Sequence, residues 1–214
     1  MTASPPAFDE AFRHRLADLV AWRRDVRRFR PVPVDRTLVD SLIDLACLAP
    51  SVGNSQPWRF VAVDSPERRG AIVENFRDCN RDALAAYEGE RAKLYARLKL
   101  EGLETAPVHL AIFCDESTAQ GCGLGRRTMP ETLRYSTVTA VHTLWLAARA
   151  HGIGVGWVSI LDPVRIAETL ATPAAWTFIA YLCLGWPEES HLDPELERAG
   201  WQSRVDGNGR ILQR

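Results

Sequence analysis

Between Arg23 and Arg30 the chain gathers five arginines around a single acid, Asp25. A guanidinium fork matches phosphate oxygens, so Arg23, Arg24 and Arg27 are candidate ligands for a phosphorylated small molecule. The same composition also suits a solvated basic connector paired with surface carboxylates, and exposed pairs of that kind contribute little. Asp25 is the more informative residue. A carboxylate among arginines stays ionised by charge proximity and can serve as a base, although an ordinary salt bridge uses the same residues.

A second segment, PSVGNSQPW (50–58), sets small residues and Gly53 beside Ser51, Asn54 and Gln56. Its N–H groups, hydroxyls and amides suit a polyoxygenated ligand such as a ribityl chain, but Gly, Ser, Asn and Pro also make plain loops. A third, HGIGVGWVSILDP (151–163), places three glycines ahead of Trp157 and Ser159. It has neither the P-loop pattern nor the dinucleotide-binding glycine spacing. Glycine inside a strand instead predicts the close approach of another backbone or of a flat ring. Ser159 would then hydrogen-bond that ring or end the strand.

Other chemistries have little support. His109 precedes a strand and His142 lies in an apolar helix, neither with an acid or histidine at metal-ligand spacing, so both are expected to be core or structural and no metal is expected. No serine sits in a nucleophile-elbow pattern. The cysteines (47, 79, 114, 122 and 183) are odd in number and scattered, without a C-x-x-C pair, which argues against a disulfide framework and predicts free, mostly buried thiols.

Several elements must position these segments. Phe8, Phe12, Leu16, Leu19 and Val20 recur at helical spacing and predict a first helix over 8–21. Asp35 is placed to cap a second, with Leu38, Leu42, Leu45, Ala46 and Ala49 as its apolar stripe and Pro50 as its stop. WRFVAVD reads as a strand, and Ser65-Pro66-Glu67 as a helix start. The helical region beginning there runs towards Leu103, with 91–104 either its continuation or a separate helix over a cleft. VHLAIFCD (108–115) reads as a buried strand followed by a glycine-rich loop. Residues 131–151 are apolar on nearly every face, which fits a buried or interfacial helix. Two further buried strands, in GIGVGWVSI and WTFIAYLCLG, flank a short helix starting near Asp162-Pro163. Strands alternating with helices predict an α/β or α+β domain.

The chain has 214 residues, 46% hydrophobic and 25% charged, which predicts one globular domain over 1–214. A net charge of −1 offers no overall field for nucleic acid or an anionic membrane. No apolar run approaches the roughly 20 residues of a membrane span, and the N-terminus does not read as a signal peptide, so a cytoplasmic protein is expected.

RRDVRRF (23–29) and PSVGNSQPW (50–58), in that order with a helix between, resemble the R-R-x-x-R-x-F and P-S-x-x-N-x-Q-P-W segments of the nitroreductase superfamily. The likeness covers roughly residues 12–204 and leaves the tail VDGNGRILQR (205–214) without a counterpart. Typical nitroreductases have a turn with proline and glutamate where this chain has GVGWVSILDP. That segment, the aspartate within RRDVR, the stretch 123–163 and the ending GWPEE…PELERAGWQ look like the branch of the superfamily that makes 5,6-dimethylbenzimidazole. The resemblance implies an α+β nitroreductase-like fold, with a central mixed sheet flanked by helices in an entwined homodimer. It further implies that reduced FMN is a substrate, consumed with O2, and that a separate flavin reductase supplies it. The implied catalytic residues are Asp25, as base, and Ser159. The implied FMN contacts are Arg23, Arg24, Asp25, Val26 and Arg27 at the phosphate and pyrimidine edge, with Arg198 or Arg204 from the C-terminal segment. Ser51, Asn54 and Gln56 would meet the ribityl chain or ring, Gly156 and Trp157 would pack on the flavin, and the stretch around Leu100 would cover it. An FMN-dependent NAD(P)H nitro- or quinone reductase and a non-catalytic flavin-binding protein are the alternatives.

Overall fold

The computed structural model describes residues 5–98, 102–205 and 210–214. Its centre is a four-stranded sheet of β1 (Trp58–Ala62), β2 (Val108–Asp115), β3 (Gly154–Val158) and β4 (Trp176–Gly185) in the order β1-β2-β4-β3. Every strand pair is antiparallel. The parallel contribution to the expected mixed sheet is reduced to one isolated bridge, Asp25 to Val155.

Both faces of the sheet are covered, which is why β2 and β4 read as almost unbroken apolar runs. Leu110, Ile112, Ala180, Leu182 and Leu184 face one core with α2 (Arg36–Ala46) and α6 (Thr132–Ala150). The alternate residues Ala111, Phe113, Tyr181 and Cys183 face the other, with Ile72 of α3 (Pro66–Ala85) and Ile166 and Leu170 of α7 (Pro163–Leu170). Two-residue periodicity thus assigns each strand side chain to a layer.

Local chemistry sets the helix starts. Asp35 accepts from Thr37 N, Ser65 from Arg68 N, and Asp162 from Val164 N and Arg165 N, each satisfying an N–H with no intrahelical partner. The α2 stripe is Val39, Leu42 and Ala46, with Leu45 exposed, and the helix ends at Ala46, ahead of Pro50. The helical region after Ser65 is broken into α3, α4 (Gly89–Arg97) and the short α5 (Gly102–Thr105). On α3, the buried Asn75 exchanges two hydrogen bonds with the backbone of Asp162, at 2.8 and 3.1 Å. That clamp fixes the segment that leaves β3 through Ser159.

One expected element is in place but uncovered, and two expectations fail. The first helix, α1 (Glu10–Trp22), has the predicted periodicity but buries none of its residues; Phe8 before it and Phe12, Leu16 and Val20 along it stay 38–57% exposed. Periodicity specifies that the apolar face exists, not what covers it. His142 is exposed rather than core, because α6 buries the Leu133, Thr137, Ala140, Val141, Leu144 and Ala148 side instead. Of the thiols, Cys114 and Cys183 are buried, whereas Cys47 and Cys122 are exposed and Cys79 is intermediate. Among the described residues no helix is long and apolar enough to cross a membrane.

His109 keeps its structural role. Its Nε2 lies 3.1 Å from the Ala106 carbonyl, which only accepts, so Nε2 carries the proton and Nδ1 accepts from the Tyr181 hydroxyl at 2.9 Å. Burial, aided by the charge of Arg69, pushes the His109 pKa down to about 4. The folded chain therefore holds the neutral ring, and this stability is complete above the unfolded value of about 6.5 and is lost as pH falls towards about 4, a loss of about 3 kcal/mol. Urea unfolding midpoints should fall across that window in the parent protein and fall less steeply in His109→Gln. Parallel profiles would remove His109 as the source of acid sensitivity.

Candidate active site

The arginine-rich segment leaves α1 in extended form and lies against the outer edge of β3. Val26 N donates to Val155 O at 3.0 Å, and Arg30 N donates to Trp186 O at 2.8 Å. The glycines of β3 make this approach possible. A Cβ on Gly156 would stand 2.3 Å from the Val26 carbonyl oxygen, and one on Gly154 would stand 2.8–3.0 Å from the Val26 side chain. The close approach of another backbone, expected for these glycines, is that of Val26. Gly156 admits the Val26 backbone at this edge of the strand.

With Val26 in place, Asp25 turns its carboxylate onto the strand, and Oδ1 accepts from Trp157 N at 2.9 Å. On the other side, Trp145 of α6 donates its indole N–H to Arg24 O at 3.3 Å, and the Arg23 guanidinium lies 4.8 Å from the centre of the Trp145 ring. Asp25 keeps 37% of its side-chain surface accessible at the mouth of a cleft. Enclosure by protein pushes its pKa above the ordinary carboxylate range, against the pull of the Trp157 N–H and of Arg27, while the nearby charge of Glu195 adds to the rise.

The cleft is walled by Arg24, Asp25, Arg27, Arg28, Arg149 and Arg198, with Glu189, Asp193 and Glu195 from the C-terminal segment. The charges there are unevenly paired. Arg28 pairs with Glu189 and Glu195, and Arg198 binds the Asp193 carbonyl and carboxylate. Arg24, by contrast, spends its N–H groups on the carbonyls of Leu192, Arg23 and Ala21, and among the described residues no carboxylate forms an ion pair with it. Arg23 also lacks an ion pair among the described residues. Burial pushes both guanidinium pKa values down, and the charge of Arg204 pushes them further. Arg27 is half-buried, and its buried Nη1 has no hydrogen-bond partner among the described residues. An unpaired buried guanidinium N–H is costly, and an acceptor on a bound ligand would satisfy it. This cluster has the donor set for a phosphate and for a carbonyl-bearing ring edge.

Arg27 also floors a second chamber, lined by Asn80, Tyr95, Leu98, Ile160, Leu196 and Trp201. The Tyr95 and Tyr87 rings stack at 5.0 Å, Trp201 meets Tyr87 edge-on at 5.5 Å, and Arg91 lies 4.1 Å over Trp201. Helix α4 is thereby joined to the C-terminal segment above the chamber. Leu100 lies outside the described residues; Leu98 and Tyr95 are the neighbouring cover residues. Ser159 is exposed just after β3, beside Ile160.

The 50–58 loop is not part of this cleft. Ser51 Oγ accepts from Gln56 N, and Gln56 Nε2 donates to Asn54 Oδ1, both at 3.1 Å. Asn54 and Gln56 adopt φ of 54° and 44°, a left-handed backbone that side chains disfavour. The loop is held there by a neighbouring turn: Gln120 donates to Asn54 O at 3.2 Å, and a Cβ on Gly121 would fall 2.7 Å from Gly53 O. Through Cys114, Trp58 registers with Thr177 of β4, whereas Val155, the partner of Asp25, registers with Leu184. Those positions are about 24 Å apart along the strand, and β1 and β3 are opposite edges of the sheet. In one chain the two motifs therefore occupy diagonally opposite corners. Trp145, Arg149 and Tyr95 reach the site from segments with no motif of their own, and within PELERAGWQ nothing singles out Glu195 or Trp201. Among the described residues no group of three or more His, Cys, Asp or Glu side chains is placed to hold a metal ion.

This fold, with its arginine segment and glycine-admitted aspartate, is that of a known class. Residues 20–186 match the family model described as Nitroreductase family, and the chain belongs to that family. It is 62% identical over 199 residues to the 5,6-dimethylbenzimidazole synthase of Rhodospirillum rubrum, covering 93% of this chain and 94% of the relative. Against a 5,6-dimethylbenzimidazole synthase of Rhodobacter capsulatus the identity is 48%, covering 92% and 96%. An iodotyrosine deiodinase solved with FMN and 3-iodo-L-tyrosine shares the fold at a TM-score of 0.69, with 23% identity, covering 92% of this chain and 97% of that one.

Gly156→Ala should force Val26 off β3 and lower unfolding stability by about 2 kcal/mol or more, the range for overpacked interior sites. A chemical denaturation curve superimposable on the parent's would show that Val26 does not depend on that missing side chain.

Proposed function

We propose that this chain is a 5,6-dimethylbenzimidazole synthase, an oxidoreductase that consumes reduced FMN with O2 and fragments it to the lower ligand of vitamin B12. The carrying observation is the 62% identity to a synthase of that name over almost the whole of both chains. Residues 1–214 act as one domain in this reading, and a separate flavin reductase supplies the reduced FMN. The site fits the ligand: Arg23 and Arg24 carry no ion pair among the described residues, Arg204 adds its charge beside them, and Arg27 Nη1 is a buried donor without an acceptor among those residues. When bound, reduced flavin supplies both the electrons and the carbon skeleton of the product.

The protein's own groups divide the remaining work. Arg23, Arg24 and Arg27, with Arg198 or Arg204, hold the phosphate and the polar edge of the ring, and the Val26 backbone holds Asp25 in position. Asp25 is the base that takes a proton from the ribityl chain. Enclosure raises its pKa, and a carboxylate with a raised pKa is a stronger base than one in water. Ser159 orients the ring, and Trp157 contributes the N–H that aims Asp25. Helix α4, through Tyr95 and its contact with Trp201, excludes water from the chamber beyond Arg27.

Ser51, Asn54 and Gln56 contact the same flavin only if they come from a second copy of the chain, given their distance from Asp25. We therefore include an entwined homodimer in the proposal; the uncovered apolar row on α1 is consistent with a partner surface. Light scattering should return about twice the chain mass, and a monomeric mass would end the shared-site reading.

Purified protein incubated with chemically reduced FMN in air should yield 5,6-dimethylbenzimidazole by mass spectrometry. NAD(P)H oxidation coupled to a nitroarene, without that product, would identify an ordinary flavin reductase instead. Asp25→Asn should bind reduced FMN with parent affinity and make product about 10²–10⁴-fold more slowly. A parent rate in that variant would remove Asp25 as the base.

A further inference from the structure

We infer that Glu195 is a positioning residue for the Asp25 carboxylate: the two acids compete for one Arg27 N–H, and Glu195 keeps that cation from being committed to Asp25. The inference rests on the reading of Asp25 as the base. Arg27 Nε lies 3.5 Å from Asp25 Oδ2 and 3.7 Å from Glu195 Oε2. A single N–H cannot point at both oxygens, and neither distance is that of a well-formed hydrogen bond. The Arg27 side chain is 11% exposed, so its two attractions are weakly screened.

Glu195 is not free to swing away. Its Oε1 accepts from Arg28 Nη1 at 3.3 Å, Arg28 also pairs with Glu189, and Glu189 Oε2 is 2.9 Å from His191 Nε2. A chain of alternating charge therefore runs from Asp25 through Arg27, Glu195 and Arg28 to Glu189, whose second oxygen meets the His191 ring. Other groups face Asp25 from every packed element. They are Arg23 and Arg27 on its own segment, the Trp157 N–H on β3, the Cys183 thiol on β4 and Glu195 on α8 (Glu195–Arg198). Burial pushes the Cys183 thiol up, so it remains neutral. Glu195 is thus the anion of this set, and its charge adds to enclosure in raising the Asp25 pKa.

Removing the Glu195 charge has two effects of one sign. It withdraws a repelling anion from Asp25, and it releases Arg27 to donate fully to Asp25; both favour the ionised carboxylate and lower its pKa. The test is a carboxyl-carbon NMR titration of the full-length, flavin-free protein, with Asp25→Asn identifying the resonance. Glu195→Gln should lower the Asp25 midpoint by about one pH unit, and Glu189→Gln, one ion pair further out, should shift it less. Glu195→Asp, which keeps the charge but draws it back, should fall between parent and Gln, and carries the test by itself if the Gln variant does not fold. An unchanged midpoint in Glu195→Gln or Glu195→Asp, or an equal shift in Glu189→Gln, overturns the inference. No turnover is needed, so the outcome is separate from the base assignment: a parent product rate in Asp25→Asn defeats that assignment and leaves the titration standing.

Discussion

Two absent side chains on β3 decide where Asp25 and its arginines sit. The backbone of Val26 runs so close to Gly156 that even one methyl group would overlap its carbonyl oxygen, and Gly154 accommodates the Val26 side chain in the same way. Because that approach is allowed, Asp25 meets the Trp157 N–H, Arg27 turns inward, and Phe29 is buried against the sheet. The arginine segment is thereby held as an extra, partly paired rung on the sheet edge. Glycine in a strand ordinarily weakens it through backbone entropy and lost packing. Here the weakness is offset by a packed neighbour, and a catalytic-type carboxylate acquires a rigid mount.

That mount matters because the surrounding charges are balanced in an unusual way. Surface arginines generally find carboxylates at little energetic consequence. Arg28 and Arg198 do so, on the side of the cleft formed by the C-terminal segment. Arg24 is satisfied by carbonyls, Arg23 by the face of Trp145, and Arg27 has a buried N–H left over. At Arg23 and Arg24 positive charge is therefore fixed in place by neutral groups and kept available, which is the arrangement a preformed anion site needs.

Much of the fold was legible from periodicity and punctuation. Strand β2 coincides with the apolar run Val108–Asp115, and Asp35, Ser65 and Asp162 cap the helices they were expected to start. Hydrophobic pattern identifies the face to be buried but not its partner, so α1 was read as a helix while its exposure was not foreseen. The site was legible where a residue stands in a motif: Arg23, Arg24, Asp25 and Arg27 share one cleft or border it. It was illegible where function is assembled from afar. Glu195 lies 170 positions beyond Asp25 in a four-residue helix, and nothing in DPELER announces that its acid faces Arg27. Gly156 was half-legible: the sequence shows that it lacks a side chain, but that Val26 is the neighbour it admits needs three dimensions.

The diagonal placement of the two motifs carries a genetic consequence. If each flavin is gripped by the Asp25 corner of one copy and the Asn54 loop of another, a lesion at either corner damages only half of a site's contributors. A two-fold assembly mixed from one chain lacking Asp25 and one lacking the loop's side chains would contain one doubly defective site and one fully intact site. Two inactive alleles expressed together would then complement each other.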